Sequence, residues 1–568
     1  MKLKDLASAG GVALDYQKVG FDYARHPDQS ATKPVRHPVV VVGAGPVGLA
    51  LAIDLAQQQV PVVLLDNDNR LLTGSRAICF SKRSLEVFDR LGCGDRMVRK
   101  GVSWKLGRVF FRDEQVYEFD LLPEEGHERP AFVNLQQYYV EGYLAERAGQ
   151  LPLIDARWSN KVVGVEAHDD HAVLTIETPD GNYQLRADHV VACDGSRSSV
   201  RQLLGHEAKG RVFKDRFLIA DVRMKLDRPA APAVGVVAER WFWFDPAFHR
   251  NQSVLLHMQP DNIWRIDFQL GWDADPEEEK KPENIIPRVQ ALLAHSPIKD
   301  AQFELEWASV YTFACQRMAR FRHGRVLFAG DAAHGVSPFG ARGANSGVQD
   351  AENLAWKLAA VLRKRAPDAL LDSYATEREA AADENIRQST RATDFITPKS
   401  DVSRLYRDAV LELAKHQAFA RTLVNSGRLS VPAILGASAL NTPDVETFAG
   451  RMVPGAVAAD APIVLAGGRR RWLLRELGHG DFTALVFGDD EASDRSVRAV
   501  IDADPAVRLL RVRLNDDNAL ATQRYDARPG TVYLLRPDQH VCARWRAPSA
   551  ASIRSALDRA LCKNAMPA

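Results

Sequence analysis

Long hydrophobic runs are missing from this chain. Its most apolar stretch, Val39 to Ile53, is broken by Gly and Pro, ends at Asp54 and is too short to span a bilayer. No hydrophobic segment opens the chain as a secretory leader would. Charge of one sign is missing too, because a formal net charge of +1 leaves no field strong enough to hold nucleic acid or an anionic membrane. The six cysteines, Cys79, Cys93, Cys193, Cys315, Cys542 and Cys562, show neither a CxxC pair nor metal-ligand spacing. That usage argues against a disulfide framework and against zinc. Internal repeats and low-complexity tracts are absent. Together these absences predict a soluble cytoplasmic protein with no metal, no nucleic-acid partner and no membrane association.

What is present is length and alternation. A chain of 568 residues exceeds one core and implies three or four domains. Residues 1–36 are polar and irregular, as an arm would be. From His37, short apolar runs alternate with helical stretches, which predicts α/β layers. Between about Phe213 and Glu306 the segments "ERWFWFDP", "QSVLLHMQ" and "WRIDFQLGW" are aromatic and β-rich, and predict an antiparallel sheet. A helical stretch follows from about Ser373 to Arg428, then a Pro/Gly/Ala-rich linker from Val431 to Pro462, and α/β patterning returns in the last hundred residues.

The first chemical motif is "VVVVGAGPVGLALAIDLAQQQVPVVLLDND". A buried strand, Gly43, Gly45 and Gly48 in GxGxxG spacing, a helix, a second strand and Asp66 form one unit. The glycines permit a tight turn, close approach to a pyrophosphate and close helix–strand packing, and the helix N-terminus offers N–H groups to phosphate. Asp66 stands where an acid accepts a ribose hydroxyl. The unit predicts a dinucleotide without saying which one.

Two further motifs follow in order: "VVACDGSRSSVR" from Val190 and "GDAAHGVSPFGARGANSG" from Gly330. With the glycine unit they resemble the single-component FAD-dependent aromatic hydroxylases of the p-hydroxybenzoate hydroxylase type, and in particular the 3-(3-hydroxyphenyl)propionate hydroxylase type with its thioredoxin-like C-terminal domain. The resemblance implies an α/β protein. A Rossmann-like FAD-binding domain would comprise residues 37–212 and 318–395, with an antiparallel substrate sheet at 213–317. A helical region and linker would occupy 396–458, and a thioredoxin-like domain without CxxC 459–568. FAD would be the cofactor, and NADPH or NADH a co-substrate bound transiently.

In that likeness Asp331 hydrogen-bonds the ribityl chain. Gly343, Ala344 and Asn345 open a helix toward the N1–C2=O side of the flavin, where a helix N-terminus stabilises negative charge. Pro338, with Phe339, turns the chain along the flavin edge on the substrate side. Asp194 lies near FAD and nicotinamide, Arg197 and Arg201 are candidate phosphate partners, and Arg76 and Gln137 would meet ribityl or phosphate oxygens. Where the family carries a form close to GGQG, this chain has Gly340, Ala341, Arg342 and Gly343. Arg342 either braces a loop carboxylate or attracts an anion.

On the substrate side, His257 and Gln259 fall where p-hydroxybenzoate hydroxylase holds its substrate carboxylate with a hydroxyl and an arginine, but the arginine is not reproduced. His257 is the candidate catalytic residue, able to accept a phenol proton or donate to an acid. Trp243, with Trp241 and Phe244, would line the pocket, while Arg265 and Arg317 are weaker candidates. The implied reaction is NAD(P)H- and O2-dependent hydroxylation of a phenolic or amino-substituted ring through a C4a-hydroperoxyflavin. The partners are a small aromatic substrate and O2, with a homodimer left open. An epoxidase or Baeyer–Villiger-type oxygenase acting on a polycyclic natural product, and a catalytically idle FAD-binding scaffold, are the alternatives.

Overall fold

Four valines in a row, Val39 to Val42, are buried on both faces only if other strands and layers surround them. In the computed structural model, which describes residues 3–8, 14–71, 76–225, 238–296, 301–424 and 429–563, that is where they lie. Strand Val35–Val42 pairs in parallel with Gly181–Ala192 on one side and Val62–Leu65 on the other. Val326–Phe328 and Ile154–Arg157 extend the sheet outward, again in parallel. Parts of the expected arm (residues 9–13) and of the expected sheet domain (226–237 and 297–300) lie outside the described residues.

The arm is not a loose polar lead. Tyr16, Val19 and Phe21 are buried, and Phe21 stacks on Trp158 with ring centroids 4.0 Å apart. Its apolar residues are too widely spaced to show periodicity, so their burial was hidden in the sequence.

The second sheet has seven strands in the order Gln302–Tyr311, Arg216–Lys225, Ile263–Leu270, Ser253–Met258, Arg240–Phe244, Leu106–Phe111 and Glu114–Asp120. All neighbours are antiparallel except Arg240–Phe244 with Leu106–Phe111. The last two strands come from chain well outside 213–317, so the sheet is larger than the sequence boundary implies. Side-chain alternation gives it two unlike faces. On the outer face Trp243, Leu256, Trp264 and Ile266 pack with Ile285, Val289 and Leu292 of helix Pro282–Ala294. On the inner face Val109, Phe242, Leu255 and Phe217 pack with Phe313 and Phe339 toward the nucleotide domain.

Helices Leu370–Ile396, Asp401–His416 and Ala418–Val424 follow. The C-terminal unit has the strand order Val507–Val512, Phe482–Phe487, Val532–Leu535 and Val541–Trp545. The first pair is parallel and the others antiparallel. Val497 and Val500 of helix Glu491–Ile501 and Ile553 and Leu557 of helix Ala550–Ala560 fill its core, as a thioredoxin-like fold requires. Cys542 is buried in a strand and unbridged.

A buried ionic seam joins this unit to helix Gly343–Leu362. Arg536 Nη1 and Lys357 Nζ each donate to Glu377 at 2.7 Å, and Asn353 and Trp356 donate to Asp538 at 3.2 and 3.1 Å. Arg83 adds bonds to Glu352 at 2.6 Å and to the Asp538 carbonyl at 2.8 Å. Among the described residues no helix is long and apolar enough to cross a membrane.

Candidate flavin and substrate site

Gly43 adopts φ +103° and donates its N–H to the Leu65 carbonyl at 2.7 Å. A Cβ there would sit 2.5 Å from the Cys193 carbonyl oxygen, and one at Gly48 would sit 1.9 Å from the Gly43 oxygen. These two glycines are demanded by packing. Gly45 differs, for a Cβ there would meet nothing within 4 Å. It faces open space at the start of helix Pro46–Gln57, which has no capping side chain. Asp66 closes the next strand and accepts from Ala44 N–H at 2.6 Å and Asp68 N–H at 2.8 Å, and burial pushes its pKa up. Asp194 Oδ2 accepts from Val200 N–H and the Ser199 hydroxyl, both at 3.1 Å, while buried Oδ1 has no partner.

The third motif packs directly on the first. A Cβ on Gly347, in helix Gly343–Leu362, would lie 2.7 Å from Val47 and 3.2 Å from the Gly330 Cα. The two helices therefore start side by side. Helix Gly343–Leu362 also lacks a capping side chain, leaving its first N–H groups to an outside acceptor. Asp350, not singled out from the sequence, holds the turn before it: its carboxylate accepts from Gly330 N–H at 2.9 Å and from Arg378 Nε at 2.6 Å.

Asp331 lies deep in the molecule, yet its side chain is exposed, as are Arg76, Tyr311 and Pro338. Deep but accessible groups border a cleft. Asp331 and Arg76 are within electrostatic reach of each other, and burial pushes the Asp331 pKa up.

Other candidates have structural partners. Asn345 Oδ1 accepts from Ser81 N–H at 2.9 Å, and its Nδ2 donates to the Cys79 and Ala341 carbonyls, so its side chain ties strand Cys79–Ser81 to the helix start. Gln137 Oε1 accepts from Ala77 N–H at 3.0 Å, holding the segment that carries Arg76. Arg201 is spent on the Ala332 and Ser196 carbonyls, each at 2.7 Å, which leaves Arg197 as the exposed arginine of that motif. Arg342 Nη1 donates to the Phe339 carbonyl at 2.9 Å, within its own loop. Two uncapped helix N-termini, an open glycine and an orphaned buried carboxylate oxygen fit a ligand with a diphosphate and a polar ring edge, as FAD has.

The inner face of the seven-stranded sheet closes the other side. Register places Gly107, Arg240, His257, Arg265 and Asp221 in one cross-strand row. Arg265 forks onto both Asp221 oxygens at 2.8 Å and donates Nη1 to the Arg76 carbonyl at 3.0 Å, which pins the sheet to the segment that carries Arg76. Gln259 donates to Asp221 at 3.1 Å, with its Oε1 unpartnered. His257 Nε2 lies 4.0 Å from Cys79 Sγ, and Nδ1 is buried without a partner. Burial, with Arg240 and Arg265 nearby, holds the His257 pKa well below its ordinary value, so the ring is neutral.

Strand parity and location set three candidates apart from this face, Trp241 and Trp243 by parity and Arg317 by its strand. Trp243 pairs with Val254 and points to the outer face, away from His257. Arg317 binds Asp383 at 2.6 Å, on a strand outside this sheet. The sequence also missed residues that the face brings together. Tyr117 Oη and Asp267 Oδ1 are buried without partners, burial pushes the Asp267 pKa up to about 6, and the Arg240 side chain is buried with no hydrogen bond. Only cross-strand register could have grouped them.

The sequence profile of the FAD binding domain family matches residues 36–389. A probable NADH-specific resorcinol 4-hydroxylase of Rhodococcus jostii (strain RHA1) is 30% identical over 519 residues, 89% of this chain and 91% of that protein. A 3-(3-hydroxy-phenyl)propionate/3-hydroxycinnamic acid hydroxylase of Mycolicibacterium smegmatis is 28% identical over 66% of this chain and 64% of its own length. In fold, the chain is similar to the flavin-dependent monooxygenase PieE, solved with FAD and substrate. That match has a TM-score of 0.79 and 21% identity, over 94% of this chain and all of that one. With the profile spanning more than half its length, this chain belongs to the FAD binding domain family, among its flavin-dependent monooxygenases.

Proposed function

We propose that the chain is an NAD(P)H- and O2-dependent monooxygenase that hydroxylates a phenolic or amino-substituted aromatic ring. One observation carries this reading. The segment Arg76–Ser81 is tied to the flavin-side helix start by Asn345 and to the inner sheet face by Arg265 and by the Cys79–His257 contact. A polar sheet face with unpartnered groups thus stands one residue layer from the FAD cleft.

The chemistry supplied by bound FAD is hydride acceptance from NAD(P)H and activation of O2. The chain's own part is binding, orientation and proton management. Gly45 and the start of helix Pro46–Gln57 would take the diphosphate, with Gly43 and Gly48 shaping the turn and Asp66 the ribose. Asp331, Arg76, Asp194, Gln137 and the N-terminus at Gly343, Ala344 and Asn345 would surround the ribityl chain and ring edge. Neutral His257 and Gln259 would orient the substrate by hydrogen bonds, with Pro338 beside it. Asp267 suits the role of proton acceptor from a ring hydroxyl better than His257, because its pKa of about 6 lies near the working range whereas the His257 proton affinity is suppressed.

The test is aerobic NADH and NADPH consumption by FAD-loaded protein against phenolic acids, neutral phenols, anilines and polycyclic phenols, with peroxide release recorded. Strong stimulation by one ring class with little peroxide is expected. No stimulation by any ring, despite bound FAD, refutes the reading.

A further inference from the structure

Among the described buried arginines, Arg240 stands apart. Arg83, Arg157, Arg265, Arg378 and Arg536 each hold at least one carboxylate. Arg240 is 8% exposed and makes no side-chain hydrogen bond; what it has is the Phe242 ring, 5.3 Å from its guanidinium carbon. A guanidinium carries five N–H donors in a planar fork, and one placed this deep with no protein acceptor calls for a partner from outside the chain. Burial accordingly lowers its proton affinity, where Asp221 raises that of Arg265.

The surroundings show what the fork awaits. Arg240 sits opposite His257 on the inner face. The nearby titratable groups that act on it are Cys79, Tyr117 and Asp267, of which Asp267 alone is an acid, and it forms no ion pair with Arg240. Asp267 lies two strands over and two residues along, since Arg240 pairs with His257, His257 with Arg265, and Asp267 follows Arg265 by two. Strand spacing and rise put the two Cα atoms about 12 Å apart. Leu255 and His257 form the floor between them, and Tyr117 Oη, His257 Nδ1 and Gln259 Oε1 add polar groups without partners. A flat ring over that floor, with an anion at one edge and a hydroxyl at the other, would satisfy both ends.

We infer that Arg240 is the carboxylate-binding residue of this pocket, so that the ring the enzyme takes is a hydroxylated aromatic acid rather than a neutral phenol. The inference rests on the hydroxylase reading. It also differs from what the sequence resemblance implied, which placed the anion site on the strand of His257 and Gln259, where no arginine stands.

The test is calorimetric titration of FAD-loaded protein with 2,4-dihydroxybenzoate and 3-(3-hydroxyphenyl)propionate, against resorcinol and the amides of both acids. The parent should bind at least one acid more tightly than its neutral counterparts, on the order of 10- to 100-fold for a charge-assisted fork. Arg240→Met should abolish that preference and Arg240→Lys should keep part of it. Because Arg240→Met removes an unpaired buried charge, its unfolding midpoint should not fall. Acids that bind no better than neutral rings, or not at all, overturn the inference. So does a methionine variant that keeps the preference, or one that melts more than about 5 °C lower, since that would reveal a structural partner. Acid binding that Arg240→Met abolishes, without any stimulated NADH oxidation in the parent, supports the arginine assignment and overturns the hydroxylase reading.

Discussion

The nucleotide domain buries charge on two sides, and the two sides differ. Against the C-terminal unit, Lys357, Glu377, Arg536 and Asp538 are fully buried and bonded to one another. Against the seven-stranded sheet, Arg240 has no hydrogen bond, and atoms of His257, Gln259, Asp267 and Tyr117 have no partner. Desolvation alone therefore does not mark function here. A closed network is an adhesive, whereas an open one at equal depth is a receptacle, because a folded chain tolerates orphaned polar groups where something else completes them.

The sharpest way to break this contrast is to open the closed side. Glu377→Ala strands Lys357 without its counter-charge and leaves Arg536 with Asp538 alone, and should cost about 3–5 kcal/mol in chemical denaturation. A loss below about 1 kcal/mol would mean that the seam is no tighter than the receptacle.

Next in size is the cofactor turn. Gly48→Ala drives a methyl into the Gly43 carbonyl and should lower both stability and flavin content, whereas Gly45→Ala meets open space and should leave the apo protein's unfolding unchanged while FAD affinity falls on the order of tenfold or more. Equal flavin content in the Gly45 variant and the parent would remove that glycine from the site.

Asp331→Ala should come third, weakening FAD retention by a factor on the order of ten, as for a lost charged hydrogen bond, with little effect on apo stability because its carboxyl is accessible. Full flavin occupancy after purification would contradict it. The smallest effect is one of pH. Asp267 has its folded pKa raised to about 6, so its ionised, proton-accepting form appears as pH rises through that value. Substrate-stimulated NADH oxidation should climb there, and Asp267→Asn should flatten the climb. The same shift favours the protonated fold, so this group's contribution to stability is full below the ordinary carboxyl range and is lost as pH rises through about 6. An unchanged activity profile in the asparagine variant would return the proton to another group.

How far the molecule can be read in advance depends on the range of the interactions involved. Gly43, Gly45, Gly48 and Asp66 were legible because a turn, a helix start and a strand end fall within one short unit. The strand that leads to Asp331 and the helix opening at Gly343 were legible for the same reason, as was the α/β character of the last hundred residues. Strands Leu106–Phe111 and Glu114–Asp120 were not assigned to the substrate sheet, since nothing local says that the first of them pairs with chain more than a hundred residues away and brings the second along as its hairpin partner. Within "ERWFWF" the alternation is visible but its phase is not. Trp241, Trp243 and Phe244 taken together leave the phase open, and only pairing to His257 puts Arg240 and Phe244 on the inner face and both tryptophans on the outer. Asp350 and the C-terminal seam escaped notice because buried charges on a helix look like an ordinary solvated face until their partners arrive from elsewhere in the chain.

One helix, Gly343–Leu362, starts beside helix Pro46–Gln57 at the proposed flavin cleft and carries Glu352, Asn353 and Lys357 into the seam further along. Cofactor uptake and docking of the C-terminal unit are thus two equilibria that share a rigid rod. Linkage makes their coupling reciprocal: whatever affinity FAD gains from a helix held fast at its far end, the docked unit gains back when FAD is bound. A domain without a redox-active cysteine pair becomes, in that sense, a remote setting on how tightly the enzyme keeps its flavin.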